Sequence, residues 1–233
     1  MKTNPLGRIK LHDPRSRDFV DRRLSRRTPV AGISVRHAMN APNVDQFYTS
    51  GCVGFSGTNM LNCAVAAQSR RQFHWTESVR KTFQYLDNNA GLENYHQATV
   101  YDPFEGTYPP TDEGSSAIGL MKWWRKAGII TGYNWCLTFD SFLATLQHQP
   151  VLLGTEWYEG MMQPDSKGLI KPTGKSVGGH EYLADAILWN NRLIGFDNSW
   201  GENWGLHGRF YMTFDAVEAL LADGGDVAVP QFL

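Results

Sequence analysis

The chain is short of cysteine, of net charge and of uninterrupted apolar sequence, and each shortage removes a class of protein. Only three of its 233 residues are cysteine, Cys52, Cys63 and Cys136. Three thiols cannot all pair within one chain, so at least one is free, and no C-x-x-C spacing offers a zinc site or a dithiol redox pair. Lys and Arg number 22 against 23 Asp and Glu, a formal charge of −1 that supplies no field for nucleic acid or an anionic membrane. No run approaches the ~18 apolar residues that span a bilayer, and residues 1–8 lack the apolar core of a signal peptide. A cytoplasmic protein without a membrane partner is expected. His12, His37, His74, His96, His148 and His207 show neither H-x-x-x-H nor H-E-x-x-H spacing, and G-x-x-x-x-G-K-[ST] is absent. Neither metal, nucleotide nor other cofactor is therefore expected.

What is present is enough apolar residue, 42 % including eight Trp, nine Tyr and twelve Phe, to fill an interior without disulfides. Residues 1–45 are rich in Arg, Asp and Pro and show no sustained period, which predicts an extended arm over the surface with short strands at most. Its Arg22–Arg27 cluster reads as a solvated basic face. From Cys52 to Ser69 the Ala, Leu and Val content and the spacing of Phe55, Asn59, Asn62 and Ala66 predict a buried helix with Cys52 in its first turn. A second helix is expected to open at Thr76 and to end at Asn88-Asn89 and Gly91, and a loop to follow from Asp102 to Gly114. Ser115 or Ser116 caps a third helix that Gly128 stops. Beyond it, residues 150–154, 182–189, 192–196 and 209–214 read as strands, with Asn190-Asn191 as a tight turn, and the chain closes on an amphipathic segment around Val217 and an apolar stretch at 227–229. Helices first and strands afterwards make an α+β protein with two lobes.

A thiol attacks as the thiolate, so a nucleophilic cysteine needs a helix N-terminus or an imidazolium beside it. Cys52, flanked by Gly51 and Gly54, has the first. Cys63, read as mid-helix, and Cys136 are assigned to the core. Gly179-His180 enters one expected strand and Asn198 leaves the next, so antiparallel pairing brings His180 and Asn198 together. They lie 128 and 146 residues after Cys52, against the roughly 130 to 150 that separate nucleophile from His and Asn in papain-type enzymes.

These residues resemble the papain-like, or C1-type, cysteine peptidases. The resemblance rests on Gln46 six residues before Cys52, on Cys52–Ser56, on Gly179-His180 preceded by Gln149-Pro150-Val151, and most specifically on Asn198–Gly208, which matches an NSWGxxWGxxG pattern. Asp112–Ser116 and the helix after it are similar to bacterial members, and bacterial and phage-type members without a prosegment are closest in pattern. No inhibitory prosegment is expected, since such segments usually add a separate helical domain.

The resemblance implies a papain-like two-lobed fold. Residues 46–130 form a helical lobe with the nucleophile, residues 131–233 a β-rich lobe with His and Asn, and the arm packs on the latter. It implies Cys52 as nucleophile, His180 as base and then acid, Asn198 as the group that fixes the imidazole, and the Gln46 amide with the Cys52 N–H as oxyanion donors. Trp200 would cover the His180–Asn198 bond, and Gly114, Ser115 and Gly179 would line the non-primed side of the cleft. The implied substrate is a peptide or protein.

Val53 replaces an aromatic or Thr, Thr49 stands where secreted members carry a disulfide cysteine, and Glu181 replaces a small residue. Val53 and Glu181 keep open a binding protein that has lost turnover on the same scaffold. Amidase or acyl-transfer chemistry on a non-protein amide such as peptidoglycan also stays open.

Overall fold

The computed structural model describes residues 5–10, 28–68 and 85–233; the Arg22–Arg27 cluster and the helix expected from Thr76 lie outside them. The described residues form five α-helices and a seven-stranded sheet. In chain order the elements are β1 (Val35–Arg36), α1 (Cys52–Asn62), α2 (Asn88–Tyr101), α3 (Ala117–Lys126), β2 (Ile130–Cys136), α4 (Phe139–Leu146), β3 (Val151–Tyr158), β4 (Ser176–Leu188), β5 (Leu193–Asp197), β6 (Arg209–Thr213), α5 (Phe214–Ala222) and β7 (Asp226–Phe232).

All pairings are antiparallel, in the order β2-β7-β3-β4-β5-β6, with β1 added to β4. Side chains alternate across a strand, so adjacent residues serve opposite layers. Leu152, Leu183 and Ala228 pack with α1 and α3, whereas Leu153, Ala184 and Val227 pack with α4 and α5. Two apolar cores thus share one sheet, the arrangement of the expected α+β class.

Every residue of α1 is buried, and its polar side chains are tied down accordingly. The Ser56 and Thr58 hydroxyls donate to the Cys52 and Gly54 carbonyls at 2.7 and 2.9 Å. Helix α1 is shorter than the expected 52–69 run: Cys63 turns extended at ψ 151° and a 3₁₀ turn over Ala64–Ala66 follows. Cys63 is therefore a buried C-cap residue rather than mid-helix. Asn88-Asn89 starts a helix instead of ending one, because the Asp87 carboxylate accepts from the Asn89 and Ala90 N–H groups. Helix α3 and strands β3 to β6 fall where the pattern placed them, although β4 opens earlier, at Ser176, and the apolar stretch at 227–229 proves to be strand β7; Gly128 has φ 73° after α3 and a 3₁₀ turn over Trp189–Asn191 joins β4 to β5. Strand β1 is one of the arm's short strands. Residues 5–10 lie half-buried between β4 and the 112–116 segment, with Arg8 buried and Lys10 exposed.

Candidate active site

Cys52 begins α1 after Gly51, with no side-chain cap competing for the first-turn N–H groups. Helix α1 packs against β4, and the Cys52 thiol meets the backbone N–H of Glu181, the residue after His180. The residue after His180 thus lies beside Cys52, 128 residues away in sequence from His180, while the imidazole's Nδ1 makes no hydrogen bond to the sulfur. Both side chains are fully buried.

His180 Nε2 bonds Asn198 Oδ1 at 2.7 Å. The same Oδ1 accepts the Ser199 N–H at 2.8 Å, which identifies it as the amide oxygen and requires Nε2 to carry the hydrogen. Nδ1 is then the basic nitrogen of the neutral ring, and it has no hydrogen-bond partner. Trp200 stacks on the imidazole with centroids 4.8 Å apart and an interplanar angle of 27°, and Trp157 meets it edge-on, also at 4.8 Å. Burial between the two indoles lowers the His180 pKa to about 4, against which the bond to Asn198 works in the opposite sense. Burial raises the Cys52 thiol to about 12, while the backbone N–H groups of Glu181 and Gly7 pull it down. In this closed arrangement both groups are neutral.

Two residues not singled out from sequence hold Asn198 and Gln46 in place. Asn59, on α1, donates from Nδ2 to the Asn198 carbonyl at 3.0 Å, a direct strut from the nucleophile's helix to the Asn198 turn. Ser199 donates from Oγ to Gln46 Oε1 at 2.6 Å, and its carbonyl accepts the Gln46 N–H at 2.8 Å. Both occupy positions that the sequence signals only by lying seven residues after Cys52 and one after Asn198.

With its oxygen held by Ser199, Gln46 directs Nε2 to two carbonyls, Thr49 at 2.8 Å and Pro5 at 3.2 Å. The Pro5 carbonyl belongs to the chain's own arm, which fills the cleft. The Gly7 and Arg8 N–H groups donate to the Gly179 carbonyl at 3.3 and 3.0 Å. Ser115 N–H donates to the Gly7 carbonyl at 2.9 Å, and Ile9 N–H to the Ser115 carbonyl at 2.7 Å. Ser115 and Gly179 thus bind the backbone of residues 7–9, and Gly114 packs closely against Gly7. Ser115 is fixed by its hydroxyl bond to Asp102 at 2.6 Å, and Gly114 N–H by the Tyr95 hydroxyl at 3.0 Å.

The departures also find their places. Val53 is buried in the core that α1 shares with α3, away from the cleft. Glu181 faces the arm, with Oε2 3.8 Å from Arg8 Nε. Among the described residues no cluster of His, Cys, Asp and Glu could hold a metal ion, and no helix is long and apolar enough to cross a membrane.

No protein-family model matches the chain. An uncharacterized peptidase C1-like protein of Acanthamoeba polyphaga mimivirus is 24 % identical over 185 residues, which are 75 % of this chain and 56 % of the relative. The chain thus spans little more than half of that relative's length. Among solved structures, the cysteine protease xylellain from Xylella fastidiosa superposes with a TM-score of 0.60 at 19 % identity, covering 100 % of this chain and 97 % of the other. The ragweed pollen cysteine protease Amb a 11, in its proform, gives 0.58 at 16 % identity, covering 99 % and 76 %. A Carica candamarcensis cysteine protease in complex with E-64 gives 0.50 at 15 % identity, covering 85 % and 98 %. The fold is the papain-like fold.

Proposed function

We propose that the chain is a papain-like cysteine peptidase that hydrolyses peptide bonds through a thioester acyl-enzyme. The observation that carries this is the seating of Cys52, at the tip of α1, against the Glu181 backbone of β4, the strand whose preceding residue His180 has its tautomer set by Asn198. Residues 46–130 are the lobe that supplies the nucleophile, and residues 131–233 the lobe that supplies His180 and Asn198.

The arm contributes to the burial at Cys52, where the Gly7 backbone reaches the thiol, and two indoles enclose His180. When the arm leaves and water enters, the desolvation that raises the thiol and lowers the imidazole weakens for both, and the proton moves from sulfur to Nδ1. The thiolate then attacks the substrate carbonyl carbon, and the oxyanion takes donors from Gln46 Nε2 and the Cys52 N–H. Collapse of this intermediate breaks the C–N bond as the imidazolium gives its proton to the leaving amine. Water, deprotonated by the restored imidazole, attacks the thioester, releasing the acid and the thiol.

A polypeptide is the substrate class because extended peptide, residues 5–9, already satisfies Gln46, Ser115 and Gly179. Val53 is buried in the core and Glu181 stands against Arg8, so neither blocks the reacting groups, although the Glu181 charge raises the Cys52 thiol. All three cysteines are free, in keeping with a reducing, cytoplasmic setting, and the near-zero net charge favours neither nucleic acid nor membrane as a partner. Cys52→Ala is expected to abolish hydrolysis of small acyl-amide peptides, and iodoacetamide, by alkylating Cys52, to do the same in the unsubstituted chain. Turnover that survives either treatment overturns the proposal.

A further inference from the structure

A short loop, residues 47–51, joins the two proposed oxyanion donors, the Gln46 amide and the Cys52 N–H. No disulfide holds it, since all three cysteines are free. Its start is tied to the Asn198 turn through Gln46 and Ser199. Thr49 closes the loop on itself, donating from its N–H and its hydroxyl to the Gln46 carbonyl at 3.0 and 2.8 Å. The far end is tied to a distant segment: the Ser50 N–H donates at 2.8 Å to Asp112 Oδ1, 62 residues on.

The same Asp112 oxygen accepts the Tyr95 hydroxyl at 2.8 Å, and that hydroxyl in turn accepts the Gly114 N–H at 3.0 Å. Tyr95 lies on α2 and is fully buried. Its ring edge stands 3.0 Å from where a Cβ on Gly51 would lie, and a Cβ on Gly54, in the first turn of α1, would overlap its backbone. The phenol is therefore packed against the nucleophile's own turn. A backbone N–H and a buried phenol from different elements converge on one carboxylate oxygen, and both bonds are charge-assisted. Without them Gly51, the residue between Ser50 and Cys52, has the backbone freedom to swing the Cys52 N–H out of line.

We propose that Asp112 is a positioning residue for the peptidase reaction. Through Ser50 it aims the Cys52 N–H at the oxyanion, and through Tyr95 and Gly114 it sets the Ser115 backbone that receives an extended chain. The proposal rests on the peptidase reading and deepens it. What the geometry uses is an acceptor oxygen rather than a charge, and an asparagine Oδ1 offers the same two lone pairs. Asp112→Asn should thus keep the loop fixed, whereas Asp112→Ala releases it.

The test measures kcat and KM separately, on the fluorogenic peptide that the unsubstituted full chain cleaves fastest from a mixed library. Asp112→Ala is expected to lower kcat about tenfold or more, a part of the roughly hundredfold to thousandfold that loss of an oxyanion donor costs. Asp112→Asn should stay within about threefold of the unsubstituted chain, because both hydrogen bonds persist. Tyr95→Phe keeps the Ser50 bond but frees Gly114, so its cost should fall on KM, by about three- to tenfold, more than on kcat. Circular dichroism gives the folded fraction by which each rate is divided. An unchanged kcat in folded Asp112→Ala overturns the positioning role and leaves the peptidase reading standing, and so does an Asp112→Asn kcat as low as that of Asp112→Ala. Where Asp112→Ala does not fold, Tyr95→Phe decides: no change in either constant, or a loss in kcat as large as the rise in KM, overturns the assignment. Absence of any cleavage by the unsubstituted chain overturns the peptidase reading, and this assignment with it.

Discussion

Burial drives the two reacting groups in opposite directions, the Cys52 thiol up to about 12 and the His180 imidazole down to about 4. The imidazole's share is measurable in stability. The unfolded chain takes up a proton at His180 near the ordinary value of 6.5, but the folded chain resists until about 4. Folding is thus undisturbed by this group above pH 6.5 and loses stability as pH falls from 6.5 towards 4, by roughly 2 to 3 kcal/mol. Denaturant melts at pH 7 and pH 4.5 should show a smaller loss for His180→Gln than for the unsubstituted chain. Equal losses would mean that His180 does not titrate in this window. Cys52, His180 and Asn198 could be found from sequence because each sits in a short motif and their spacing is a family distance. Asn59 and Ser199 could not, since a helical Asn and a Ser after Asn have many ordinary uses. Their importance comes from a 139-residue contact to the Asn198 carbonyl and a 153-residue contact to Gln46.

Among the elements, the strand ends that present His180 and Asn198 are tied by one cation. Arg209 on β6 donates from Nη1 to Asp197 at 2.7 Å, on β5, and from Nη2 to Asp185 at 2.7 Å, on β4. Asp197 is fully buried, and burial, then Asp185, push its pKa up. Removing the cation leaves two buried carboxylates against each other. Arg209→Met should therefore cost about 3–5 kcal/mol by chemical denaturation, and Arg209→Lys should recover only part, because one ammonium cannot fork to both strands. A loss under 1 kcal/mol for Arg209→Met would show that the three strands do not need this pair. The strands β3 to β6 are legible, since they carry dense apolar runs, whereas β7 reads only as an apolar stretch. Two further elements carry no clear signal. Strand β2 mixes Gly132, Tyr133 and Asn134 with its apolar residues, and α4 is only eight residues long, opened by a Thr138–Ser141 capping box in place of the more usual Thr–Glu form. At α2 the misreading had a single cause: Asn-Asn is a turn signal until an aspartate stands before it.

At the scale of the whole molecule, the two-lobed architecture could be read from helices preceding strands, but the course of the arm could not. Residues 5–10 carry no period, and their partners are Gln46, Ser115, Gly179 and Asp226, so only the assembled cleft gives them a place. The arm bonds to Gln46 and Ser115 on the side of α1 and α3 and to Gly179 and Asp226 on the sheet, so it is positioned as a clasp across the site. Its narrowest passage is Gly7, where any Cβ would overlap the Ser50 carbonyl. Gly7→Leu should therefore expel the clasp without touching a residue of the proposed catalytic set. Two changes follow together. Alkylation of Cys52 by iodoacetamide should accelerate about tenfold for each 1.4 kcal/mol by which arm docking is weakened. The thermal midpoint should fall by about 2–4 °C per kcal/mol lost, because backbone bonds and a buried ion pair that joined the lobes are gone. Faster alkylation with a lowered midpoint identifies the arm as both inhibitor and clasp. An unchanged alkylation rate in a folded Gly7→Leu chain would mean that the thiol is reached without moving the arm, and the arm's closure of the site would be refuted.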